Sequence, residues 1–136
     1  MTHSAIVTAG VSVRVFKTKW LMRYARQEGI EDHSLNEAVK RAERGLVDAD
    51  LGGGVIKQRV ARKGQGRSGG YRMLIAYRLG DRAVFMYGIA KSERENIDPD
   101  ELLTLREIGS GWLEANTEQL ELAVKEGLVK EIDYGN

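Results

Sequence analysis

Val55-Ile-Lys-Gln-Arg-Val-Ala-Arg-Lys-Gly-Gln-Gly-Arg-Ser-Gly-Gly-Tyr-Arg72 is the stretch on which the fold turns. Its first eight residues alternate as a strand. Val55, Lys57, Arg59 and Ala61 share one face, and Ile56, Gln58, Val60 and Arg62 share the other. The glycines that follow, Gly64-Gln-Gly-Arg-Ser-Gly69, spell G-x-G-x-x-G. A dinucleotide-binding loop of that form opens a helix, whose N-terminus receives the pyrophosphate. Here the glycines run into Tyr71-Arg-Met-Leu-Ile-Ala-Tyr77, a strand, so the nucleotide reading is rejected and a hairpin remains. Arg82 to Ala90 forms another strand beyond a tight turn at Gly80-Asp81. Three consecutive strands with short connections predict an antiparallel meander.

Outward from the meander the pattern turns helical. Val11, Val13 and Val15 suit a first strand, and Trp20, Leu21, Tyr24 and Ala25 then fall at helical spacing up to Gly29. Ser34-Leu-Asn-Glu37 reads as a capping box for a second helix with Leu35, Ala38, Val39 and Ala42 on one face. Asp98-Pro99-Asp100-Glu101 opens a third helix, with Leu102, Leu105, Ile108 and Trp112 as its apolar stripe. Thr117 caps a fourth, and Leu128 to Ile132 adds an edge strand. The fold class is α+β: an antiparallel sheet with an N-terminal helical hairpin packed on it and extra C-terminal helices. The 136 residues make one domain, with a core over about 11–102 and an acidic helical extension over about 98–136.

The net charge of +1 conceals a division along the chain. Residues 1–54 carry 8 basic and 7 acidic side chains, residues 55–94 carry 10 and 2, and residues 95–136 carry 3 and 11. The middle third therefore calls for a polyanion, a partner's carboxylates or solvent, since local fields steer ligands more than the sum does. Without cysteine there is neither a disulfide framework nor thiolate chemistry, which is compatible with a reducing cytoplasm. No apolar run reaches the roughly 20 residues that span a bilayer, and Ala5 to Val13 lacks the features of a signal peptide. His3 and His33, the two histidines, sit at an N-terminus and ahead of a helix, where they read as solvated surface residues. No carboxylates cluster near the basic run, so neither a metal site nor a Ser/His/Asp constellation is expected there, and no cofactor is implied.

Four motifs in series carry a family resemblance: Leu51-Gly-Gly-Gly-Val55, Lys57-Gln-Arg-Val-Ala-Arg62, Gly64-Gln-Gly-Arg-Ser-Gly-Gly-Tyr-Arg72 and Tyr87-Gly-Ile-Ala-Lys-Ser-Glu-Arg-Glu-Asn-Ile97. Together with Ala42 to Asp50 they resemble the HigB branch of the RelE/ParE toxin superfamily, over about Phe16 to Leu102. The resemblance implies a small α+β toxin of a type II toxin–antitoxin module. Such toxins cut messenger RNA in the ribosomal A site of the 30S subunit, and in this branch a helix-turn-helix antitoxin neutralises them. Arg72 matches the strand arginine that RelE-like nucleases place on the scissile phosphate. Lys91 and Arg94 match basic residues closing the last core strand, and Lys57, Arg59, Arg62 and Lys63 match a basic cluster by region. The family's C-terminal tyrosine has no clear equivalent, Tyr71 and Tyr87 being the available substitutes.

Metal-free RNA cleavage needs a base at the 2′-hydroxyl, positive charge around the pentacovalent phosphate and an acid at the leaving oxygen. With no histidine placed for it, a lysine crowded by arginines is the available proton carrier, because like charges lower its pKa. The expected catalytic set is thus Lys57, Arg62, Arg72 and Lys91, with Arg59, Lys63, Arg67, Tyr71, Tyr87 and Arg94 binding RNA. A non-catalytic binding protein stays open as the alternative: a ParE-like gyrase inhibitor, or an attenuated relative that binds only RNA or antitoxin.

Overall fold

The computed structural model describes residues 12–62, 64 and 66–135, with backbone alone at 66–68. In chain order the elements are β1 (Arg14–Thr18), α1 (Lys19–Glu28), α2 (Asp32–Glu43), β2 (Ala49–Asp50), β3 (Val55–Arg62), β4 (Gly66–Arg78), β5 (Arg82–Ala90), α3 (Pro99–Glu114), α4 (Thr117–Lys125) and β6 (Val129–Ile132). The strands form one sheet in the order β2-β3-β4-β5-β1-β6. The β3–β4–β5 meander is antiparallel as expected. The glycine-rich run is part of it: β4 begins at Gly66, which pairs with Arg62.

The sheet as a whole is mixed, which corrects the expectation of an antiparallel one. β1 lies parallel to β5, with Arg14 opposite Arg82 and Lys17 opposite Phe85, and its other edge pairs antiparallel with β6. The N-terminal strand is therefore interior, and the strand expected near residues 128–132 is indeed an edge.

Helices cover both faces. On one face α1 packs against β1, β5 and β6, and α2 packs against β3. Leu21, Ala25, Leu35, Ala38, Val39 and Ala42 meet Ile56, Val60, Tyr71, Met73, Ile75 and Phe85 there. α1 begins at Thr18, whose hydroxyl accepts from the Leu21 amide and donates to the Met86 carbonyl, and it ends at Gly29 in the left-handed region (φ 72°). α2 begins at Asp32, with Glu31 as its N-cap, not at Ser34. The Ser34 amide already donates to Glu31, so the expected capping box does not form. On the other face Leu105, Leu113, Leu120 and Ala123 of α3 and α4 meet Phe16, Val55, Leu74, Ala76, Val84 and Met86. The buried stripe of α3 is Leu105, Gly109 and Leu113, rotated from the expected one, and Ile108 is 46% exposed. Gly109 explains the rotation: a β-carbon there would come within 3.3 Å of Ala76, so the helix approaches the sheet along its smallest residue. Asn116 caps α4, with Thr117 as its first residue. The acidic C-terminal third thus folds onto the sheet and does not project from it.

Candidate nucleic-acid interface

Register assigns the basic residues to faces. In an antiparallel sheet, residues directly opposite one another point the same way. Lys57 stands opposite Leu74, which stands opposite Tyr87; Arg59 stands opposite Arg72, which stands opposite Ile89. Leu74 is buried against α3, so Lys57, Arg59, Arg72 and Tyr87 belong to the α3 face. Lys91 follows Ile89 by one alternation and is tied to the same row by its amide, which donates to the Gly70 carbonyl at 3.0 Å. Two of the four residues expected to be catalytic, Lys57 and Arg72, are therefore brought together on one sheet face, with Lys91 tied to the end of the same row through Gly70.

The segment after β5 folds back over these cations. The Lys57 ammonium donates to the Asn96 side-chain oxygen at 2.8 Å, and Lys91 lies 3.7 Å from Glu95. Arg94 makes a two-pronged contact with Glu101 at the start of α3 (2.8 and 2.9 Å) and also donates to the Tyr87 hydroxyl at 3.1 Å. The Arg94 guanidinium first, and then the Asp98 amide, hold the Glu101 carboxyl down at about 2 against an ordinary 4.5. Arg72 is 7% exposed, and one of its guanidinium nitrogens faces the Tyr71 carbonyl. Arg59 turns toward the sheet edge, where its side chain and its amide both donate to Asp48. Arg41 of α2 completes that carboxylate's shell, and burial opposes but does not overcome the resulting downward shift of Asp48.

Arg62 departs from the expected set. It follows Val60 across a register shift, and its guanidinium lies over the Tyr71 ring at 5.7 Å on the opposite, α1 face of the sheet. Tyr71 is buried there and its hydroxyl donates to Glu28 at 3.1 Å; burial, and then this bond, raise its pKa. Lys63 and the side chain of Arg67 lie outside the described residues. Asn96 and Glu101 were missed by sequence reasoning, because they reach the site through a loop and a helix start with no periodic signal. Trp20 was read only as part of a helical pattern, yet its ring lies 4.3 Å from that of Tyr87, beside the site.

The architecture defines a small α+β protein that carries Lys57, Arg59, Arg72, Lys91 and Arg94 toward one end of a helix-covered sheet. The family model described as the RelE toxin of the RelE / RelB toxin–antitoxin system matches residues 13–132, and the chain belongs to that family. The match takes in α4 and β6 as well as the meander. No curated protein and no solved structure gives a match. Membership gives the chain a toxin's role and an antitoxin as partner, and toxins of this family are generally endoribonucleases that cut messenger RNA. Among the described residues no helix is long and apolar enough to cross a membrane.

Proposed function

We propose that this chain is a HigB-type toxin that cuts messenger RNA in the ribosomal A site without a metal, in the cytoplasm, and that a helix-turn-helix protein is its antitoxin. The observation that carries this reading is the registration of Lys57 and Arg72 onto one face of the sheet, with Lys91 tied to the end of the same row through Gly70. In the reaction the 2′-hydroxyl attacks the adjacent phosphorus and gives up its proton to one lysine. The bond to the 5′-oxygen breaks, that oxygen takes a proton from the other lysine, and a cyclic phosphate remains. Arg72, with fixed charge and forked donors, suits the extra negative charge of the pentacovalent phosphate. Arg62, on the other face, takes no part in this chemistry. The ribosome holds the message, and in the chemical step itself the toxin supplies charge and proton transfer.

The 91–98 segment, which contacts Lys57 and Lys91, has to yield for a phosphate to reach those cations. The Lys57–Asn96 bond that helps to hold it is a single contact of about 0.5–1.5 kcal/mol net, well within what substrate binding offsets. The test is cleavage on programmed ribosomes and growth after expression without antitoxin. Arg72→Ala, folded by circular dichroism, is expected to lose roughly 100-fold or more in rate. Intact transcripts and normal growth with the verified wild-type chain would overturn the reading. One observation favours the non-catalytic alternative: the cations of the site already have partners within the chain. Inhibition of gyrase supercoiling without RNA cleavage would establish it.

A further inference from the structure

A row of aromatic rings leads away from the candidate site and passes around the end of the sheet. Beyond Phe85, β5 has no β1 partner, because the chain leaves β1 at Thr18 and enters α1. α1 fills that side with Trp20 and Tyr24. The Trp20 ring lies 4.3 Å from Tyr87 and stacks on Tyr24 at 5.1 Å, and Tyr24 meets Tyr71 edge-on at 6.1 Å. Arg94 caps one end of the row through the Tyr87 hydroxyl, and Arg62 lies over Tyr71 at the other. The row thus joins the two groups of predicted RNA-binding residues that the sheet separates.

Two details mark the row at Trp20 as open to a ligand. Trp20 is a large apolar side chain left 36% exposed. A cleft of about 240 Å³ lies between Trp20, Tyr24, Tyr87, Glu93 and Arg94. Gly88 opens the necessary space, since a β-carbon there would come within 2.9 Å of the Tyr24 ring. A flat, partly exposed apolar ring next to cations that suit phosphate has the chemistry of a nucleobase site, since every base has a face to stack.

We infer that Trp20 is the stacking platform for a nucleobase of single-stranded RNA next to the scissile phosphate. The inference rests on the nuclease reading above. It is tested by cleavage on programmed ribosomes with the full chain. The messages carry either all their bases or an abasic ribose at the nucleotide 5′ or 3′ of the cut. On the intact message Trp20→Leu is expected to cut roughly tenfold more slowly, the usual loss for one stacked base, while Trp20→Phe retains most of the rate. On the message lacking the stacked base, wild type slows by a similar factor and Trp20→Leu adds nothing, the non-additivity expected of two groups in contact. Equal losses for Trp20→Leu on the intact and both abasic messages, or no loss at all, would overturn the inference and leave the nuclease reading standing. A wild-type chain that cuts none of the messages removes both.

Discussion

Substituting alanine for Gly70 tests whether the β3–β4 hairpin is as tightly drawn as the structure shows. A β-carbon at Gly70 would stand 2.1 Å from the Val60 carbonyl oxygen and 2.6 Å from the Arg62 amide nitrogen. Both are backbone atoms, so no rotamer change relieves the contact. Ordinary contact begins at 3.4 Å, and the strands must part locally by more than 1 Å. Overpacking of this kind costs about 1–3 kcal/mol, and each backbone bond lost beside the bulge adds about 0.5–1.5 kcal/mol. The total expected for Gly70→Ala is about 3 kcal/mol, a fall in Tm of about 10 °C for a domain of this size. Gly111→Ala is the control. Nothing lies within 4 Å of its β-carbon position, and it sits within α3. That variant should gain about 0.5–1 kcal/mol through helix propensity alone. Urea and thermal unfolding followed by circular dichroism measure both. A Gly70→Ala chain within about 0.5 kcal/mol of wild type would refute the account of the hairpin. The same substitution should also slow cleavage beyond the loss of folded protein, because the Gly70 carbonyl holds the Lys91 amide and Arg72 follows two residues later.

Gln58 is fully buried, donates to the Ala38 and Leu46 carbonyls and accepts from the Asp48 amide. Gln58→Leu keeps the volume but removes three buried hydrogen bonds to the backbone, so it should cost about 2–4 kcal/mol in urea unfolding; a loss below about 1 kcal/mol would show that water replaces the side chain. The Glu101 pKa is lowered on folding, so its contribution to stability is complete above the ordinary 4.5 and is lost as pH falls through about 2. Carboxyl carbon resonances of Glu101 should therefore titrate near 2, returning toward 4.5 in Arg94→Ala.

The parts of this structure that depend on local chemistry were legible in the sequence. The three meander strands follow from alternation, and the start of α3 follows from Asp98-Pro99. The family followed from motifs that lie together along the chain. Pairing partners were not legible, because a buried run such as Val13 to Phe16 has the same pattern at an edge or in the interior, beside a parallel strand or an antiparallel one. The stripe of α3 was misplaced because hydrophobicity favours Ile108, whereas close approach to Ala76 favours Gly109. At the site, alternation correctly grouped Lys57 with Arg59 and separated them from Arg62. It could not reveal that Asn96 and Glu101 return to contact the cations, or that Trp20 lies against Tyr87.

The placement of β1 between β5 and β6 has a consequence in time. During synthesis residues 14–18 emerge early, but their outer edge must wait for Val129–Ile132, about 110 residues later. At about 5–20 residues per second the wait is roughly 6–20 s. Throughout it the meander bearing Lys57, Arg72 and Lys91 can already pair, while one side of β1 stays an open strand edge. The pairing of β6 closes the sheet on that side and covers the β1 edge, so a strand offered by another chain competes for it only before β6 has formed.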